Sequence, residues 1–69
     1  MNQVEETITV LRALGYSPMH NETDKEIYFT SFGFEAFPER HKNVVRSLLC
    51  DRLKEFYYGG INTQHIYYR

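Results

Sequence analysis

The stretch from Pro38 to Tyr58 reads PERHKNVVRSLLCDRLKEFYY and carries the longest single period in the chain. Its apolar side chains recur at the spacing of a helix with one buried face. They are Val44, Val45, Leu48, Leu49, Leu53 and Phe56. Pro38 suits the first turn of a helix, and Gly59 with Gly60 forms a stop signal after the stretch. The pattern therefore predicts one helix over Pro38–Tyr58, the longest element of the protein.

A shorter helix is predicted over Gln3–Leu14. Asn2 can cap its N-terminus, and Gly15 stands at the natural stop position. Its apolar stripe is narrow and consists of Val4, Ile8 and Leu11. A helix with so narrow a stripe is expected to lie on the surface of the domain, packed along one side only.

Two further segments are predicted to be strands. Glu26–Phe32 is dense in β-branched and aromatic residues, and alternation places Ile27 and Phe29 on one face. The opposite face of this segment would carry Tyr28, Thr30 and Phe32. The tail Ile61–Arg69 is expected to return beside the first strand, which would make a strand–helix–strand unit with parallel strands if the two are neighbours.

These elements predict a single α+β domain over residues 1–69, in which a small two- or three-stranded sheet packs on two helices. The third strand would come from Tyr16–His20 or from another subunit. The chain has 69 residues, and a domain of that size buries a modest core, so a partner or a homo-oligomer is expected to add stability, with a self-sufficient monomer as the alternative.

Composition narrows the class of function. The net charge is −1, and the single cysteine, Cys50, excludes an internal disulfide and suits the reducing cytoplasm. The N-terminal residues lack the pattern of a signal peptide, and no apolar run is long enough to span a membrane. The Cys, His and carboxylate residues show no catalytic, metal-binding or cofactor-binding spacing, so we expect neither an enzyme nor a metal or cofactor protein.

Aromatic residues provide the leading hypothesis, a protein-binding module. Six Tyr and five Phe are too many rings for so small a core, so some should lie at the surface, where Tyr is common in interfaces. Candidate partner-binding residues are Tyr28, Phe32, Arg46, Arg52, Tyr57, Tyr67, Tyr68 and Arg69. Arg52 interrupts the apolar stripe of the predicted long helix. It either extends to the edge of the domain or pairs with an acidic residue of the first helix such as Glu5 or Glu6, or else it anchors a partner.

An inhibitor or adaptor is the concrete form of this hypothesis, by analogy with the short proteins that phages and mobile elements encode. The alternative is a nucleic-acid-binding regulator that uses Arg40, Lys42 and Arg46 together with the Tyr-rich tail. The balanced charge does not favour this alternative, because duplex-binding proteins usually have a strong basic excess.

Overall fold

The computed structural model describes residues 2–29, 37–59 and 63–69. In chain order the elements are α1 (Gln3–Ala13), β1 (Met19–Asn21), β2 (Glu26–Phe29), α2 (Glu39–Leu49), a 3-10 turn (Cys50–Arg52), β3 (Leu53–Tyr58) and β4 (Gln64–Tyr68). A helix followed by two strands therefore occurs twice. The predicted α+β class is confirmed, but the sheet has four strands where two or three were predicted.

Capping explains the bounds of α1. The Asn2 side chain accepts a hydrogen bond of 2.8 Å from the backbone N–H of Glu5. At the other end Gly15 takes a positive φ of 98°, and the N–H of Tyr16 reaches back to the carbonyl of Leu11 at 3.1 Å. The helix predicted over Gln3–Leu14 is confirmed to within one residue.

The single helix predicted over Pro38–Tyr58 is wrong. α2 ends at Leu49, and Cys50 follows with φ 51° and ψ −125°, a conformation that stops the helix. After the 3-10 turn, the last six residues of the predicted helix form β3. Both helices have 11 residues, so the second is not the longer.

A β-bulge accounts for this error. Leu53 pairs with Tyr68 and Glu55 pairs with Tyr67, so Lys54 is an extra residue in the ladder. In a regular strand, residues of one face are two apart, but the bulge makes the core-facing Leu53 and Phe56 three apart. Three is also a helical spacing, so the strand continued the apparent period of α2.

The four strands are antiparallel and lie in the order β1–β2–β4–β3. The tail does return beside the first predicted strand, since β4 pairs with β2. The pair is antiparallel where a parallel pair was expected, because β3 comes between α2 and β4. The third strand predicted near Tyr16–His20 is present in this chain as β1, although it begins at Met19.

Both helices cover the same face of the sheet. Val4 and Leu11 of α1 and Val45 and Leu49 of α2 belong to one buried cluster with the strands. The strand residues of this cluster are Ile27, Phe29, Ile66 and Tyr68, with Leu53 and Phe56 packed against it. Alternation turns the neighbouring strand residues to the opposite face, which no described element covers.

Candidate functional site

The side of the sheet opposite the helices, here called the open face, is the candidate site. The register of the strands places eight residues on it: Met19, Asn21, Glu26, Tyr28, Glu55, Tyr57, His65 and Tyr67. All eight are half-buried or exposed, whereas their neighbours along β2 and β4 are buried. Met19 and Tyr57 are the exposed large hydrophobic residues of this face, at 48% and 53% exposure.

Four rings meet at the centre of the open face. His65 stacks between Tyr28 and Tyr67, at centroid distances of 6.4 and 5.9 Å and interplanar angles of 20° and 3°. Tyr57, from β3, tilts against His65 at 5.6 Å. Spacings of this size allow direct ring–ring packing, so the four side chains form one packed group.

An acidic group fixes the ring at the centre. Nδ1 of His65 lies 2.8 Å from the carboxylate of Glu26, and the two side chains are only 23% and 15% exposed. The pKa of the Tyr67 hydroxyl is raised, chiefly by its hydrogen bond to Glu26 and further by burial and by the negative charge of Glu26 and Glu55. Two carboxylates therefore act on the same hydroxyl.

The open face gathers three of the predicted partner-binding residues, Tyr28, Tyr57 and Tyr67. Phe32 was predicted to join them but lies outside the described residues. Because the rings come from three different strands, their proximity depends on the antiparallel register and could not be derived from their spacing in the sequence.

Arg52, Tyr68 and Arg69 lie together at the end of β4, and Tyr68 faces the core side of the sheet. Tyr68 is only 5% exposed, and its hydroxyl hydrogen bonds to Nε2 of His20 at 2.6 Å. The Arg52 guanidinium lies over the Tyr68 ring and donates to the carbonyl of Arg69 at 3.1 and 3.2 Å. One of the predictions for Arg52 was an ion pair with Glu5 or Glu6. The guanidinium pairs instead with the backbone carbonyl of Arg69.

Arg52 and Tyr68 border a cleft of about 280 Å³. Its lining mixes both signs of charge and consists of Asn2, Val4, Glu5, His20, Glu22, Lys25, Arg52 and Tyr68. Burial raises the pKa of Tyr68, and the charge of Glu22 adds to that effect, while Arg52 opposes it. The cleft is separate from the open face, because Tyr68 points to the core side of β4.

Arg46, the last predicted residue, belongs to the helix layer. It forms an ion pair of 2.8 Å with Glu39 and lies 5.4 Å from the centre of the Phe56 ring, on the core side of β3. Lys42 lies over the same ring at 5.6 Å. The basic first half of α2 and the tyrosines of the open face therefore lie on opposite sides of the sheet.

Sequence reasoning missed His65 and Glu26, which organise the site. Neither residue was among the candidate partner-binding residues. The available signal was the similarity of EIYF at 26–29 and HIYY at 65–68, in which alternation turns Glu26, Tyr28, His65 and Tyr67 to one face.

No family model, curated protein or solved structure matches this chain. Within residues 2–29, 37–59 and 63–69, no group of three or more His, Cys, Asp or Glu residues could hold a metal ion. Across the same ranges, neither helix has the length and apolar character that crossing a membrane requires.

Proposed function

We propose that this protein is a non-enzymatic protein-binding module and that the open face is its binding surface. The observation that carries the proposal is the packed group of Tyr28, Tyr57, His65 and Tyr67 on a sheet face that no described element covers. Tyrosine supplies a large contact area at a small cost in conformational entropy, and rings already packed together lose little further freedom on binding.

The edges of the sheet are less suited to binding than its face. β1 has only three residues and follows Pro18, which cannot donate to a ladder. β3 is longer, but it carries the bulge at Lys54 and the exposed charge of Glu55. Bulges and charges are the devices by which natural sheets prevent another strand from pairing at an edge. A partner is therefore expected to dock onto the rings.

Nucleic acid is the weaker alternative. A surface that binds RNA by stacking also needs cations to neutralise the phosphates. The paired positions of the open face hold Glu26 and Glu55, and the strand register puts no Lys or Arg at any of them. The cations that were expected to help, such as Arg46, lie on the helix layer.

The concrete form that we propose is an inhibitor or adaptor acting in the cytoplasm, of the kind that phages and mobile elements encode. The exposed free thiol of Cys50 supports a reducing compartment. Small size and an aromatic surface are common to such proteins, and this part of the proposal is an analogy.

Two adjacent tyrosines provide the test. Tyr57 is on the open face, whereas Tyr58 pairs with Gln64 and is on the helix side, at 41% exposure. Tagged wild-type protein, Tyr57→Ala and Tyr58→Ala would be used to capture proteins from a lysate of the source cells. We expect the Tyr57→Ala variant to lose a bound protein that the wild type and the Tyr58→Ala variant both retain.

Circular dichroism of the three proteins would show that each is folded, since neither tyrosine is buried. If Tyr57→Ala captures the same proteins as the wild type in the same amounts, the open face is not the binding surface and the proposal fails.

A further inference from the structure

The charge of the open face indicates what kind of partner it suits. Its paired positions carry two carboxylates, those of Glu26 and Glu55, and one histidine, His65. Two cations border these positions without occupying them: Lys54 is in the bulge of β3, and the guanidinium of Arg69, two residues after Tyr67, already donates to the backbone carbonyls of Asp51 and Leu53. A partner surface that brings positive charge would therefore be complementary, and one that brings phosphates or carboxylates would be repelled.

The two carboxylates differ in what they already bind. Glu26 is mostly buried, and it contacts Nδ1 of His65 and the hydroxyl of Tyr67. Glu55 is exposed, and its carboxylate has no ion pair or hydrogen bond with another described residue. Glu26 thus holds the site together, while Glu55 has its full capacity to accept hydrogen bonds.

Glu55 has two tyrosines as its neighbours on the open face. Tyr67 is directly opposite it on β4, and Tyr57 is two residues further along the same face of β3. Facing residues in a sheet have Cβ atoms about 5 Å apart, and residues two apart on one strand are about 7 Å apart. A planar cation between Glu55 and Tyr57 would touch a carboxylate and a ring face at once.

We propose that the open face binds an arginine-bearing segment of the partner protein, with the guanidinium on the ring of Tyr57 and paired with Glu55. This inference rests on the proposed function and specifies its partner. Arginine suits the site better than lysine, because its flat guanidinium stacks on a tyrosine ring and donates two parallel hydrogen bonds to one carboxylate. The row formed by Tyr28, His65 and Tyr67 continues the contact for the residues beside that arginine.

The test uses a fluorescein-labelled peptide of alternating glycine and arginine as the probe, and the matching glycine–lysine peptide for comparison. Fluorescence anisotropy would measure binding of both peptides to the wild type at low and raised salt. We expect the arginine peptide to bind more tightly than the lysine peptide, and its affinity to fall as salt screens the pair with Glu55. Equal affinity for the two peptides would overturn the inference.

Matched variants locate the binding site. Glu55→Gln and Tyr57→Ala should each weaken binding of the arginine peptide by about tenfold, since each removes one of the two contacts. Glu6→Gln removes the same charge from exposed α1, and Tyr58→Ala removes a ring from the other side of β3. Both should stay within about twofold of the wild type. A loss as large in Glu6→Gln as in Glu55→Gln would overturn the inference, because binding would then follow net charge alone.

The lysate experiment distinguishes a failure of this inference from a failure of the proposed function. Suppose that a captured protein depends on Tyr57 but is retained by Glu55→Gln and is not displaced by the arginine peptide. The open face then binds a partner, and the arginine inference is wrong. If capture is independent of Tyr57, the proposed function itself fails. Binding of a single-stranded oligonucleotide that Tyr57→Ala abolishes would overturn both.

Discussion

At the scale of single residues, Cys50 occupies the most unusual backbone position in the described chain. Its φ of 51° and ψ of −125° lie in a region of backbone conformation that residues other than glycine rarely adopt. The residue ends α2 and turns the chain toward β3. Its Sγ donates a hydrogen bond to the carbonyl of Ser47 at 3.1 Å.

Cys50→Gly should stabilise the protein. Glycine adopts this conformation without a steric penalty, and the gain should exceed the extra entropy that glycine has in the unfolded chain. We expect the free energy of unfolding, measured by urea denaturation, to rise by about 1 kcal/mol. Cys50→Ala is the control, because it removes the thiol and keeps the strained backbone, and it should not stabilise. A Gly variant no more stable than the Ala variant would show that no strain is released.

At the scale of elements, the sequence predicted best where local chemistry decides the outcome. α1 follows from Asn2 and Gly15, and the alternation of β2 follows from its aromatic residues. The prediction for the segment that forms β3 was wrong, because the bulge imitates a helical period and because α2 is ended by Cys50 and not by a glycine. The site was only partly predictable: its tyrosines could be nominated, but His65 and Glu26 join them only through the pairing of β2 with β4.

Deletion of Lys54 tests the function of the bulge. Without Lys54, the residues Leu53, Glu55 and Phe56 would alternate regularly and keep their partners on β4. We therefore expect the fold to survive, with an unfolding free energy within about 1 kcal/mol of the wild type. The straightened, less charged edge should associate with other copies, which sedimentation would detect as a mass that increases with concentration.

Lys54→Ala keeps the bulge and removes only the charge. It therefore distinguishes the effect of the bulge on edge association from the effect of the lysine charge. It should associate less than the deletion. If the deletion variant associates no more than the wild type over the same range of concentrations, the bulge does not protect the edge.

At the scale of the whole molecule, three tyrosines link stability to high pH. Burial raises the pKa of Tyr16 and of Tyr68, and the hydrogen bond to Glu26 raises that of Tyr67, all above the ordinary value of 10.0. The folded state thus favours the neutral phenol. The stabilisation is fully present below pH 10 and is lost as pH rises through the folded pKa values.

The free energy of unfolding, measured in urea from about pH 8 to about pH 12, should therefore fall on the alkaline side. Tyr67→Phe removes one of the three hydroxyls and should make that fall shallower. An alkaline slope unchanged by Tyr67→Phe would mean that the hydroxyl's bond to Glu26 does not contribute to the pH dependence.

The repeated order of helix, strand, strand has one more consequence. Ile27 and Ile66 face each other where the second strands of the two halves pair, and both are fully buried. Neither half can cover this seam alone, so each serves as the binding partner of the other. Folding then amounts to an association whose two components share one chain, at an effective concentration that dilution cannot change. The protein would be, in this sense, a heterodimer that cannot dissociate.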